Sequence, residues 1–218
     1  MKQFAVIGVG RFGTSVAKTL TDKGYDVLAI DYDEERVQDI SSYVTHAVQA
    51  DGTDERALKS LGLSEIDSAI VSIGDNLNAN ILATLILKEL GIERVVAKAQ
   101  DKLHGTLLTK IGADKVVYPE RDMGQRLANN LISANLLDYI ELSPYYRVAE
   151  ILATGDLVGH SLKGLDLRRR YGVNVIAAKT EDGLNVSPGP DYIISQGDLL
   201  VVMGDKDKLE KVVSEMCD

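Results

Sequence analysis

The chain carries a single cysteine, Cys217, near its C-terminus. One thiol excludes an intramolecular disulfide framework and fits a reducing, cytoplasmic setting. Cys217 itself reads as a solvated tail residue. Basic residues are scarce: 24 Lys and Arg against 33 Asp and Glu leave a formal net charge of -9. Nucleic-acid binding needs a basic face to displace counterions, so that class is set aside. The longest basic run, Arg168-Arg169-Arg170, reads as a solvated face. No apolar run approaches the roughly 20 residues of a membrane span. Nor is there the basic stretch and apolar core of a signal peptide. Direct membrane insertion is therefore not expected, and any membrane is reached through a partner. The histidines, His46, His104 and His160, are scattered, and no Cys or His stands at metal-ligand spacing. No CxxC, GxSxG or Ser-His-Asp pattern appears.

What is present starts with "FAVIGVGRFGTSVAKTL". A β-branched run leads into Gly8, Gly10 and Gly13, and a segment of helical periodicity follows. In this context Gly8 permits a tight turn, Gly10 lets the backbone approach phosphate, and Gly13 allows close helix packing. A helix N-terminus adds N–H donors and a partial positive charge. Asp31 ends the next strand, about 18 residues past Gly13, where a carboxylate takes ribose hydroxyls. Tyr32 and Asp33 continue that loop.

Up to about residue 135, apolar strands alternate with helices: strands at 2–7, 27–31, 45–50, 68–73, 95–97 and 115–118. This predicts α/β architecture, a doubly wound parallel sheet of Rossmann type with helices on both faces. Pro119 opens a further helix, expected to run to about Leu137, with Met123, Leu127 and Leu131 on one stripe. The later segments are short strands and turns, closed by a helix holding Leu209, Val212 and Val213. They predict a second, smaller α+β domain, with 1–138 as the nucleotide-binding domain and 139–218 as the smaller one.

Ligands of open parallel sheets bind outside the carboxyl ends of the strands. Asp51-Gly52-Thr53 and Ser72-Ile73-Gly74 fall there and suit the wall of an adenosine pocket. Arg11 and Phe12 lie inside the glycine motif; Arg11 has the charge and reach for a terminal phosphate. Lys98 ends the fifth strand and reaches the same crevice. Glu120 reads first as a helix first-turn acid that needs no further role, with an oxygen ligand for a divalent cation as the alternative. A hydride-transfer enzyme also needs a positioned acid or base, and the second domain offers no obvious one. An NAD-dependent oxidoreductase and a stand-alone NADH sensor remain the rival readings.

The joint occurrence of "GVGRFG", "ATLILKELGI", "KAQD", "KIGADKVVYPERDMGQRLANNL" and "LRRRYGVNVIAAK" resembles the Ktr-type regulators of bacterial potassium uptake, the RCK/KTN proteins of TrkA type. The resemblance covers nearly the whole chain, in order. It implies a Rossmann-type domain, a crossover helix exchanged between protomers of a homodimer, and a small C-terminal domain. It also implies a cytosolic ring, typically an octamer, beneath an integral membrane potassium-translocating subunit. ATP would activate and ADP inactivate, with NAD(H) able to occupy the same pocket. Arg11 would reach the terminal phosphate, and Glu120 would belong to a magnesium or calcium site near the dimer interface. The C-terminal domain would take cyclic di-AMP around Leu162, Arg168, Asn174 and Pro188. Arg169 departs from the family pattern there.

Overall fold

The computed structural model describes residues 2–132 and 136–217, which form two compact units divided within one helix, between Asp122 and Met123. The first unit contains β1 (Gln3–Ile7), α1 (Arg11–Asp22), β2 (Asp26–Asp31), α2 (Glu34–Ser41), β3 (His46–Gln49) and α3 (Glu55–Ser60). It continues through β4 (Ser68–Val71), α4 (Leu77–Glu89), β5 (Arg94–Lys98), α5 (Lys102–Lys110) and β6 (Lys115–Val117) to the first turn of α6 (Pro119–Ile132). All six strands are parallel, in the order β3-β2-β1-β4-β5-β6. The predicted doubly wound sheet is what forms. Its strands read as continuous apolar runs because both faces are covered. Val6, Ala17, Val27, Ala29 and Ile40 pack on one side, and Ile7, Ile30, Val71, Leu87 and Leu108 on the other.

The helices start where side chains can satisfy their first N–H groups. Asp33, Asp54, Asn76 and Asp101 cap α2, α3, α4 and α5, each accepting from an N–H of the first turn. Among α1–α5 the exception is α1, whose cap is Gly10 and which has no side-chain cap. Its first N–H groups are left for something outside the helix.

The second unit contains β7 (Leu136–Glu141), β8 (Tyr146–Leu152), α7 (Leu162–Leu165), α8 (Leu167–Tyr171), β9 (Asn174–Thr180), β10 (Gly183–Val186), β11 (Leu199–Asp205) and α9 (Lys206–Met216). Its antiparallel sheet runs β10-β9-β11-β8-β7. The sheet buries Ile151, Val202 and Leu200 with Leu209 and Val212 of α9. Asp198 pins the turn before β11, accepting from Tyr192 Oη at 2.6 Å and Ser195 N at 2.8 Å. Burial, then that hydrogen bond, push the Tyr192 hydroxyl up to about 12.

Two expectations are corrected. The helix opened by Pro119 ends at Ile132, not near Leu137; Leu136 and Leu137 belong to β7, paired with β8. Antiparallel pairing with the strand that follows overrides local helical periodicity. Cys217 is 2% exposed, not solvated, and lies in the second core. The end of α9 folds back, so that Thr154 Oγ1 donates to the Cys217 carbonyl at 2.6 Å. The triple arginine run is exposed, as predicted.

Candidate functional site

The carboxyl ends of the parallel strands enclose a cavity of about 950 Å³ within the first unit. It lies where the connections reverse direction between β1 and β4, the usual ligand position in such sheets. Gly8, at φ +88, makes the turn out of β1; a Cβ there would meet Ile73 N at 2.9 Å. A Cβ on Gly13 would fall onto Gly8 O and Ser72 Oγ, and those two atoms are themselves hydrogen-bonded. So α1 sits hard against the turn because Gly13 has no side chain. Gly10 differs: the only atom near a Cβ there is Arg36 Nη1 at 4.0 Å, so its face is open to the cavity. The uncapped end of α1 therefore points its N–H groups into open space beside small residues.

The other walls come from four strand ends. Asp31 is 4% exposed. Its Oδ2 accepts from Val9 N at 2.7 Å and its Oδ1 from Asp33 N at 3.0 Å, so it staples the glycine turn to the β2 loop. Gln49 Nε2 donates to Tyr32 O, holding the exposed tyrosine at the rim. Asp51 Oδ1 accepts from both Thr53 Oγ1 and Thr53 N, which holds its carboxyl below the usual range. Gly52 has no space for a side chain against Ile7 Cγ2, 2.7 Å from a Cβ there. Ser72, Ile73 and Gly74 form the wall beyond β4.

At the far side Lys98 Nζ lies 2.5 Å from Glu120 Oε1. The hydrogen bond from Lys98 draws the Glu120 carboxyl below its ordinary range, with Arg11 adding a smaller effect of the same sign. Of the cations lining the cavity, Lys98 and Arg11 thus act on the Glu120 carboxylate of the α6 first turn. Among the described residues no three His, Cys, Asp or Glu side chains converge on a metal position. A lone carboxylate such as Glu120 falls well short of the six or more oxygens a hard cation takes.

Of the residues expected at a nucleotide site, Gly8, Gly10, Arg11, Phe12, Asp31, Tyr32, Asp51, Gly52, Thr53, Ser72, Ile73, Gly74 and Lys98 line this cavity, and Glu120 joins them. Gly13 lies beneath the turn. Asp33 is the cap of α2 and pairs with Arg36 Nε at 3.5 Å. Leu162, Arg168, Asn174 and Pro188 lie in the second unit, on α7, α8, the start of β9 and the loop after β10. The sequence reading missed Arg36, which lines the cavity and stands 3.9 Å from Asp31 Oδ2. Its signal was the three-residue spacing from Asp33, which lets the two pair on α2. Asn76 and Ala79 of the α4 start were also missed.

The TrkA-N domain matches residues 4–119 and the TrkA-C domain residues 147–216. The chain is 49% identical over 203 residues to the Ktr system potassium uptake protein C of Bacillus subtilis (strain 168), covering 93% of this chain and 92% of that protein. It is 45% identical over 214 residues to the Ktr system potassium uptake protein A of the same organism, covering 98% and 96%. Among solved structures it superposes on the GsuK channel with a TM-score of 0.73 at 20% identity, covering all of this chain and 40% of the channel chain, a likeness of fold. The GsuK structure bound to ADP matches 61% of this chain and 34% of its own, with a TM-score of 0.52 at 28% identity. With both domains matched and near full-length identity to these proteins, the chain belongs to the Ktr family of TrkA-type potassium uptake proteins.

Proposed function

We propose that this protein is a non-enzymatic, nucleotide-sensing regulatory subunit of a membrane potassium-uptake system, activated by ATP and inactivated by ADP. One observation carries the reading. The uncapped N-terminus of α1 opens into a cavity edged by Arg11 and Lys98, with the Asp31 carboxylate at the adjacent strand end. Cations and free N–H groups suit phosphates, and the carboxylate suits ribose hydroxyls. The Ktr names of the relatives and the ADP bound by a GsuK protein support it.

In this reading Gly8, Gly10 and Phe12 face the diphosphate, and Arg11 and Lys98 face the third phosphate. Asp51, Gly52, Thr53, Ser72, Ile73 and Gly74 wall the adenosine. NAD(H) fits the same frame. Glu120, once released by Lys98, offers one oxygen to magnesium or calcium; phosphate and a second copy would supply the rest. The second unit would take cyclic di-AMP around Leu162, Arg168, Asn174 and Pro188. The protein would work in the cytoplasm, peripheral to the membrane through the translocating subunit. Among the described residues no helix is long and apolar enough to cross a membrane.

A nucleotide shifts an equilibrium only by its differential affinity for the two states. Moving a population from 1:99 to 99:1 takes about 5.5 kcal/mol. In a concerted octamer, tenfold discrimination at each site, about 1.4 kcal/mol, totals roughly twice that. A single contact to the third phosphate per site is enough. The decisive test is potassium flux through the assembled transporter in vesicles, with mass spectrometry of the co-purified nucleotide. Flux is expected to rise with ATP and fall with ADP. Identical flux in both would overturn the sensor reading, and turnover of a hydroxy acid or aldehyde with NAD would replace it with an enzyme.

Two further outcomes are expected. A 2′-phosphate would meet the Asp31 carboxylate, so calorimetry should show NADPH binding at least about tenfold weaker than NADH. Equal affinities would mean that Arg36, which the Asp31 and Asp33 carboxylates flank, sets the choice instead. Met123, Leu127 and Leu131 of α6 are 60%, 58% and 76% exposed. An exposed apolar stripe of this kind marks an interface. Light scattering at micromolar concentration should therefore give a dimer or a ring of dimers, and Leu127→Asp should shift it toward monomer. A monomeric wild-type protein would contradict this.

A further inference from the structure

The β4–β5 ladder closes at Val71↔Ala97. Beyond that point the strands part: the chain after β4 turns along the cavity wall, and β5 ends at Lys98. Parting leaves carbonyls that the ladder no longer serves. Asn80, in the second turn of α4, is fully buried and does not line the cavity. Its Nδ2 donates to Ile73 O at 2.7 Å and to Lys98 O at 3.2 Å. Both amide hydrogens are thus spent on the two parted strand ends. A buried amide is costly unless such bonds are made; the amide hydrogens of Asn80 are paired, while its Oδ1 has no partner among the described residues.

A second tie lies one step along. Gln100 Nε2 donates to Gly74 O, while Gln100 N donates to His104 Nδ1 at 3.3 Å. The His104 ring is buried, and burial lowers its basicity against a smaller opposing effect of Asp101. Between the two ties stands Lys98, whose side chain is 12% exposed and whose amine reaches Glu120 and lies 3.6 Å from a Cβ position on Gly74.

We propose that Asn80, with Gln100 as second tie, is a positioning residue that aims Lys98 into the cavity and so sets how strongly the third phosphate is felt. The inference rests on the reading of the cavity as a nucleotide site. A merely structural Asn80 would cost stability and leave the preference between ATP and ADP alone. A positioning role moves that preference and does so through Lys98.

Calorimetry with ATP and with ADP, at fixed salt and magnesium, tests this on the full-length protein. Asn80→Leu is expected to weaken ATP binding about tenfold, about 1.4 kcal/mol, and ADP binding by no more than about twofold. In a Lys98→Ala background the same substitution should cost nothing further, since contacts made through a shared partner are not additive. Gln100 is exposed, so Gln100→Leu carries the same test if Asn80→Leu does not fold. An unchanged ATP-to-ADP ratio in the folded variants, or equal losses with and without Lys98, overturns the positioning role. Wild-type protein that binds neither nucleotide overturns the cavity reading and the positioning role together.

Discussion

Gly13→Ala is expected to destabilise the first unit and to abolish measurable nucleotide binding. The added methyl would occupy the space of Gly8 O and Ser72 Oγ. Neither atom is at the end of a flexible chain: one is backbone at a φ of +88, the other is hydrogen-bonded to it. The strain can be relieved only by moving α1 away from β1 and β4. Overpacking of this kind costs about 1–3 kcal/mol, which for a domain of this size lowers the melting temperature by several degrees, at about 2–4 °C per kcal/mol. The shift also takes the N–H groups of α1 off the line of the turn, so binding suffers more than stability does. Thermal melting and calorimetry on the same preparation check both effects. A melting temperature and nucleotide affinity equal to wild type would show that helix and turn are not locked together here.

Arg11→Ala is expected to lower ATP affinity by roughly 1.5 to 3 kcal/mol, the range for a hydrogen bond to a charged group. ADP affinity should fall less, and ATP-stimulated potassium flux should shrink with it. Both nucleotides share adenosine and two phosphates, which the glycine turn and Asp31 would treat alike. Discrimination needs a group aimed past the diphosphate. Arg11 is the first residue of α1, exposed at the cavity mouth, and its charge is felt at Glu120. Its planar fork suits a terminal phosphate. Salt and magnesium must be held fixed, because both screen phosphate charge. Equal losses for ATP and ADP would make Arg11 a general phosphate contact. An unchanged ratio with intact activation would move the switch to Lys98.

The sequence by itself determined the parts of this protein that depend on near neighbours. Strand, glycine turn and helix occupy some twenty consecutive residues, and apolar runs alternating with capped helices impose a two-faced parallel sheet. Gly8, Gly13 and Asp31 were legible because each serves a role set by its distance from the strand end. Residues that share the carboxyl edge of the sheet were legible too, since parallel topology alone brings Asp51, Ser72 and Lys98 to one side. The tertiary structure decided what crosses that edge. Lys98 read as a strand-end residue and Glu120 as a helix first-turn acid, but their ion pair needs β6 laid beside β5. Asn80 is buried in α4, and its partners appear only where two strands part above it. The strand Leu136–Glu141 exists because β8 offers it a ladder, against the helical pattern before it. Cys217 is buried because α9 docks its last turn on the second core. In each case the deciding partner belongs to another element, so no local propensity encodes it.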